Sequence, residues 1–214
     1  PLASLREGTE LLADGIAGPL NAEQQEIVAI LDSSSRHLQR LIEQLLDYNR
    51  KLNEMPLSPE PVALDAIVTA VTRIHSLPAS ARQIKTHVDL QATSCLAEAT
   101  LLQRVIDNLY SNAVNYGRES GNIWLRSQQK GDRVWIDVAN SGIPIPPEEQ
   151  AMIFEPFYQG SRQRQGPVKG SGLGLSIAKD CLRRMQGDLQ LVSHKEADVC
   201  FRIILPASAR KPES

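Results

Sequence analysis

Long apolar runs are missing from this 214-residue chain. No stretch approaches the roughly 18 consecutive apolar residues that a membrane-spanning helix needs, and there is no secretory leader pattern. Cysteine is scarce. Cys95, Cys181 and Cys200 are scattered, odd in number and form no Cys-x-x-Cys pair. That argues against a disulfide framework or a structural metal site and points to a reducing compartment. Neither sign of charge is in excess, since the formal net charge is -2. Composition therefore gives no argument for nucleic acid or an anionic membrane as partner. Aromatics make up only 4% of residues, while the apolar content is ordinary for a globular protein. The chain also lacks an initiating methionine and opens at Pro1 inside a helical pattern. We therefore expect a piece of a longer protein, whose membrane attachment this stretch does not speak to.

What is present divides at a proline-rich break, Met55-Pro56-Leu57-Ser58-Pro59-Glu60-Pro61. Ahead of it, Leu2, Leu5, Leu12 and Ile16 recur at helical spacing over residues 1–16. The breaker-rich stretch Gly15 to Asn21 reads as a turn, with Asn21 as helix N-cap and Gln24 three residues on. A helix over 22–54 follows, about 50 Å long at roughly 1.5 Å per residue. Its seam runs Ile27, Leu31, Ser34, Leu38, Leu41, Leu45, Tyr48 and Leu52 in heptad steps, and Ile30, Ile42 and Leu46 widen it. A hairpin of this size cannot bury so much apolar surface alone. We expect half of a dimeric four-helix bundle. A hairpin packed only on its own C-terminal domain accounts less well for so regular a stripe.

Beyond the break the pattern turns to mixed helix and strand. The spacing predicts helices over 64–76, 98–116 and 172–185, and strands over 84–90, 122–127, 133–139, 189–193 and 198–205. The expected class is α+β, with several antiparallel strands and helices on one side as a two-layer sandwich. The predicted layout is a hairpin domain 1–54, a linker 55–61, an α/β domain 62–206 and a frayed tail 207–214.

Four stretches of the second part carry chemistry. Asn108 and Asn112 stand four residues apart on one face of a helix whose other face is apolar. Two carboxamides so placed cost free energy unless something fills their hydrogen-bonding capacity, and their oxygens are hard ligands suited to Mg²⁺. Taken alone, the pair reads more simply as a solvated polar face. Lys169-Gly170-Ser171-Gly172-Leu173-Gly174 leads into a helix. There, glycine lets backbone approach an anion and the helix start offers unpaired N–H groups. A phosphate site and a plain glycine-rich turn fit this stretch equally well. It is neither a Walker A loop nor a good dinucleotide fingerprint. Asn140-Ser141-Gly142-Ile143-Pro144-Ile145 ends a strand in a tight loop. Its first side chain is able to accept from an exocyclic amine, although a simple turn is the commoner meaning. Phe154-Glu155-Pro156-Phe157-Tyr158 precedes the loop Gln159 to Lys169, which carries Arg162 and Arg164. That loop reads as a lid over a triphosphate or as solvated surface.

In this order and spacing the stretches resemble the ATP-binding domain of bacterial two-component sensor histidine kinases. Asn108 and Asn112 match the family's N box, and Asn140 to Ile145 its first glycine box. Phe154 and Phe157 match the F box, and Gly170, Gly172 and Gly174 the second glycine box. The hairpin resembles the family's dimerisation and phosphotransfer domain. The resemblance implies an ATPase-type sandwich binding ATP and Mg²⁺, with Asn112 as the metal ligand and Asn108 supporting metal and phosphates. It implies that Asn140 reads the adenine amine, that Gly142 and Ile143 line the base pocket and that Tyr116 packs near the nucleotide. Phe154, Phe157, Lys169 and Leu173 join the ATP-binding set, and Gly170, Gly172 and Gly174 make room for the phosphates. It further implies a homodimer, a response regulator receiver domain as partner and no nucleic acid. The chain would be the cytoplasmic portion of a bacterial inner-membrane protein, held to the membrane only through a missing N-terminal part. The γ-phosphoryl would pass to a histidine, then to an aspartate of the regulator.

Four positions depart from the family pattern. Asn140 stands where Asp is usual, Pro144 where a second glycine is usual, and Asn115 where Lys or Arg is often found. Pro1 matches the last residue of the His-Glu-x-x-Thr-Pro box, so the phosphoacceptor is expected just upstream and the chain is expected not to autophosphorylate. His37, His75, His87 and His194 lack that context. Two other readings stay open. One is a hydrolysing ATPase of the superfamily shared with gyrase and the ninety-kilodalton heat-shock chaperone, which carries a general-base Glu where this chain has Asn108. The other is a non-catalytic dimeric scaffold that docks a response regulator.

Overall fold

The computed structural model describes residues 2–16, 18–54, 58–160 and 171–208, with side chains described from residue 7 on except at 37 and 40–54. The chain forms two compact units, Pro1–Met55 and Pro56–Ser214.

The first unit is a hairpin of α1 (Leu2–Ala13) and α2 (Ala22–Glu54). Its turn uses Gly15 and Gly18 at φ of +73° and +113°, values that favour glycine. Asn21 and Gln24 then cap α2 reciprocally. The Gln24 N–H donates to Asn21 Oδ1 at 2.8 Å and the Asn21 N–H to Gln24 Oε1 at 3.0 Å, which satisfies two of the helix's orphan donors. Where the hairpin closes on itself it buries Thr9, Val28 and Ser35. The described part of the predicted seam is not covered: Ile27 is 53% and Leu38 48% exposed, and Ile30 and Leu31 are exposed as well. The seam from Leu41 on lies outside the described side chains.

The second unit is built on a five-stranded sheet of order β2-β4-β5-β7-β6. Its strands are β2 (Lys85–Leu90), β4 (Asn122–Lys130), β5 (Arg133–Asn140), β6 (Asp188–Leu191) and β7 (Val199–Pro206). Two short strands that the sequence pattern did not show, β1 (Glu60–Ala63) and β3 (Ser94–Ala97), pair antiparallel as a separate ribbon. The helices are α3 (Leu64–Ile74), α4 (Ser76–Ala81), α5 (Ala99–Tyr116) and α6 (Gly174–Arg184).

The expectation of antiparallel pairing fails at one place: β2 and β4 are parallel, with Lys85 opposite Asn122 and Leu90 opposite Ser127. Between them the chain runs through β3 and α5, and such a crossover returns the second strand in the same direction as the first. The other three pairings are antiparallel. The hairpin between β4 and β5 turns at Gly131, φ +62°, as a two-residue connection favours. The helix predicted over 64–76 breaks at His75, and the one predicted from 172 starts at Gly174.

Leu102, Val105, Ile106 and Leu109 of α5 and Ile123, Leu125, Ile136 and Ile203 of the sheet are all fully buried. Each contributes about 1.5–3 kcal/mol of transfer free energy. The sheet's other face carries ion pairs. Arg202 grips Asp137 with two hydrogen bonds of 2.7 Å, and its guanidinium lies 4.2 Å from the Trp135 ring centre. Those bonds raise the Arg202 pKa above its ordinary range. The three cysteines are buried, and burial pushes the Cys95 and Cys200 thiols up to about 12.

Candidate functional site

Helix α5 is fixed at both ends before any function is asked of it. Glu98 caps its start, accepting from the Thr100 N–H at 3.2 Å and the Leu101 N–H at 2.7 Å. At the other end the Arg82 guanidinium donates to the carbonyls of Val114 and Gly117, a favourable place for a cation beside helix carbonyls. The apolar stripe of α5 goes to the core, which leaves Asn108 and Asn112 half-buried on adjacent turns. Neither carboxamide makes a hydrogen bond among the described residues. Asn115 differs: its amide turns back to the Ser111 carbonyl at 2.7 Å and hydroxyl at 3.2 Å.

The start of α6 comes to this face. Its first turn-closing bond runs from the Ile177 N–H to the Leu173 carbonyl at 2.9 Å, so the N–H groups before Ile177 lack intrahelical acceptors and carry the positive end of the dipole. A methyl group on Gly174 would stand 3.7 Å from the Oδ1 of Asn108. The N box and second glycine box are thus neighbours in space. Leu173 is buried; its N–H donates to the Ser171 hydroxyl at 3.3 Å, and its carbonyl also accepts from the Ser176 hydroxyl at 2.9 Å. Lys169 and Gly170, with most of the predicted lid, lie outside the described residues.

The F box closes against Gly172. The Phe157 N–H donates to the Gly172 carbonyl at 3.0 Å. A methyl on Gly172 would fall 2.7 Å from the Phe157 carbonyl carbon, and Gly172 itself sits at φ +71°. Phe157 also has a positive φ, +65°, and stays half exposed. Phe154 packs inward, edge-on to Phe201 at 6.3 Å between ring centres, with the Lys179 ammonium 4.4 Å from its ring centre. It is half-buried.

The first glycine box leaves the end of β5. Asn140 is 5% exposed, and its amide nitrogen donates to the Ser141 carbonyl at 3.1 Å. Its amide oxygen accepts no bond among the described residues. Gly142 bridges Gly117 at the end of α5, and a methyl there would lie 3.1 Å from both the Asn140 amide nitrogen and the Tyr116 carbonyl oxygen. Tyr116 is part-exposed beside this bridge, and Ile143 is 70% exposed.

Several residues around the site escaped the sequence reading. Glu98 had a signal, an acidic residue just ahead of a helical run. Arg82 and Asp198 had none, because their partners are backbone groups far along the chain. His75 hydrogen-bonds Asp107 at 2.7 Å and His87 bonds Asn122 at 2.8 Å; the side chain of His37 lies outside the described residues. A groove of about 600 Å³ on the helix-free face of the sheet is lined by Asp89, Arg126, Asp137, His194 and Arg202 among others. Its guanidinium groups are already paired, Arg126 with Glu196 at 2.6 Å and Arg202 with Asp137.

The chain is similar to known proteins over both units. A family model for histidine kinase-, DNA gyrase B- and HSP90-like ATPases matches residues 97–209, and one for the His Kinase A (phospho-acceptor) domain matches residues 1–54. Sensor histidine kinase GlrK of Escherichia coli (strain K12) is 66% identical over 208 residues, 97% of this chain and 44% of that protein. The chain therefore spans less than half the length of that relative. The solved catalytic domain of histidine kinase ThkA is 25% identical, with a TM-score of 0.61 over 72% of this chain and 97% of that one. Full-length ShkA, solved with AMPPNP, is 27% identical, with a TM-score of 0.68 over all of this chain and 44% of its own. The chain belongs to the family of histidine kinase-, DNA gyrase B- and HSP90-like ATPases, and a His Kinase A domain precedes its ATPase domain.

Proposed function

We propose that the second unit binds Mg-ATP between α5, the start of α6 and the Asn140–Gly142 loop. The chain would then serve as the cytoplasmic kinase core of a sensor histidine kinase. One observation carries the reading: two half-buried carboxamides on one helix face have no partner among the described residues, and one of them stands beside the glycine-bearing start of α6. Such groups favour a ligand that fills them. A triphosphate suits the helix start, and a magnesium ion suits a carboxamide oxygen.

In this reading Asn112 holds Mg²⁺ and Asn108 supports metal and phosphates. The α6 N–H groups bind phosphate oxygens, and the Asn140 amide oxygen accepts from the adenine amine. Mg²⁺ would supply charge neutralisation at the phosphates. Gly142 and Ile143 border the base, with Tyr116 beside them, and Gly172 and Gly174 keep side chains out of the phosphate path. The γ-phosphoryl goes to a histidine of the phosphotransfer hairpin and then to a response regulator's receiver aspartate. GlrK, the 66% identical relative, is a protein named sensor histidine kinase, and ShkA was solved with an ATP analogue. His75, His87 and His194 belong to the ATP-binding unit, and His37, although on the hairpin, lacks the His-Glu-x-x-Thr-Pro context. Residues 1–214 alone are therefore not expected to label themselves. The exposed Ile27, Ile30, Leu31 and Leu38 face fits a second copy of the hairpin.

Titrating a fluorescent ATP analogue with and without Mg²⁺ tests the reading, with saturable, metal-dependent binding expected. The absence of saturable binding would favour the docking scaffold, which gains support from the Asn115 amide being tied to its own helix. Steady-state hydrolysis should be negligible, because an amide at position 108 cannot take a proton from water.

A further inference from the structure

Asp198 lies outside every motif discussed above, in the connection that leads into β7. It touches the first glycine box twice. Its carboxylate Oδ2 accepts the Gly142 N–H at 2.8 Å, and its own N–H donates to the Asn140 carbonyl at 3.1 Å. Gly142 is buried, so without this acceptor its N–H would be an orphaned donor. The Ser141 backbone is held from elsewhere: its N–H by the Asn122 carbonyl at 2.9 Å, and its carbonyl by the Arg118 N–H at 2.9 Å. Arg118 also approaches the Asp198 carboxylate, at 3.9 Å, but both side chains are substantially exposed, and such a pair contributes little.

We infer that Asp198 is a positioning residue for base recognition, clamping both ends of Asn140-Ser141-Gly142 so that the Asn140 amide oxygen meets the purine 6-amino group. The inference rests on the nucleotide reading above. It accounts for a feature that reading leaves open. Asn140 has no carboxylate charge with which to attract the amine, so its acceptor must gain by being held in place. The clamp supplies that hold from outside the loop, through a residue whose own backbone is fixed by the start of β7.

The test compares ATP with inosine triphosphate, which lacks the 6-amino group, on residues 1–214. The parent chain should prefer ATP. Asp198→Ala should weaken ATP binding about tenfold, in line with the loss of a charge-assisted hydrogen bond. It should change inosine triphosphate affinity by less than about threefold on the same reasoning. Asp198→Asn, which keeps an acceptor, should restore the preference. Equal weakening of both nucleotides would mean a merely structural role and overturn the clamp, as would an unchanged ATP preference in Asp198→Ala. A parent chain that binds ATP and inosine triphosphate equally, or neither, would overturn the base reading and the clamp with it. Hydrogen exchange on the parent gives an independent check that no variant's folding can spoil. The Gly142 amide should be protected like the amides of β5, and unprotected exchange would overturn the clamp.

Discussion

The carboxamide oxygen of Asn108 lies 3.7 Å from the place a methyl on Gly174 would occupy. Two motifs far apart in sequence therefore share one wall. That distance is ordinary contact, so Gly174 is not required by the protein's own packing. Gly172, one step earlier in the motif, is required twice over, by its positive φ and by the Phe157–Tyr158 backbone pressed against it.

The two glycines should consequently respond differently to the same change. Gly174→Ala is expected to fold normally, with stability unchanged or raised by up to about 1 kcal/mol because alanine is the better helix former. It should nevertheless bind nucleotide more weakly. Gly172→Ala should lose at least about 1–3 kcal/mol from strain and collision. Thermal melts paired with nucleotide titration check both; a destabilised Gly174→Ala would mean that its space serves packing.

The asparagine pair yields the opposite of a core residue's behaviour. Asn112→Ala removes no described hydrogen bond, so its stability should stay within about 0.5 kcal/mol of the parent. Mg²⁺-dependent binding of the ATP analogue should fall by at least about tenfold, as when one ligand of a charged centre is lost. Isothermal titration with and without the metal measures the difference.

On the hairpin, charge at an exposed seam position should act only if a second copy covers it. Ile30→Glu with Leu38→Glu is expected to shift a dimer to monomer in light scattering, while the circular dichroism of the second unit's sheet is retained. A parent chain that is monomeric at high concentration would remove the bundle.

The cysteines set an alkaline limit. Cys95 and Cys200 have pKa values raised from 9.0 to about 12 by burial. Below pH 9 both states keep the thiols protonated and the native packing stands at full strength. Above it the unfolded chain ionises first, and stability falls as pH climbs toward 12, at up to about 1.4 kcal/mol per pH unit for each thiol. Urea titrations at pH 8, 9 and 10 should show a decline that flattens when both residues are replaced by alanine.

The resemblance to sensor histidine kinases rested on four short stretches, and the two family models agree with it. Those stretches were legible because each is local: a carboxamide pair one helical turn apart, a glycine run before a helix, a strand end with a tight turn. The capping pair Asn21 and Gln24 was legible for the same reason, since its two bonds join residues three apart. The parallel pairing of β2 with β4 was not, because strand direction depends on the route between strands, and alternation reads the same either way. The short strands β1 and β3 were too brief to show a period.

Local chemistry along the chain thus determined the longer helices and most strands, because periodicity, capping and glycine act within a few residues. Only the folded molecule decided which residues hold those motifs still. Arg82 at the end of α5 and Asp198 under Gly142 act on backbone groups, and a backbone N–H or carbonyl looks alike at every position of a sequence. Their partners exist only once the sheet has brought distant segments together.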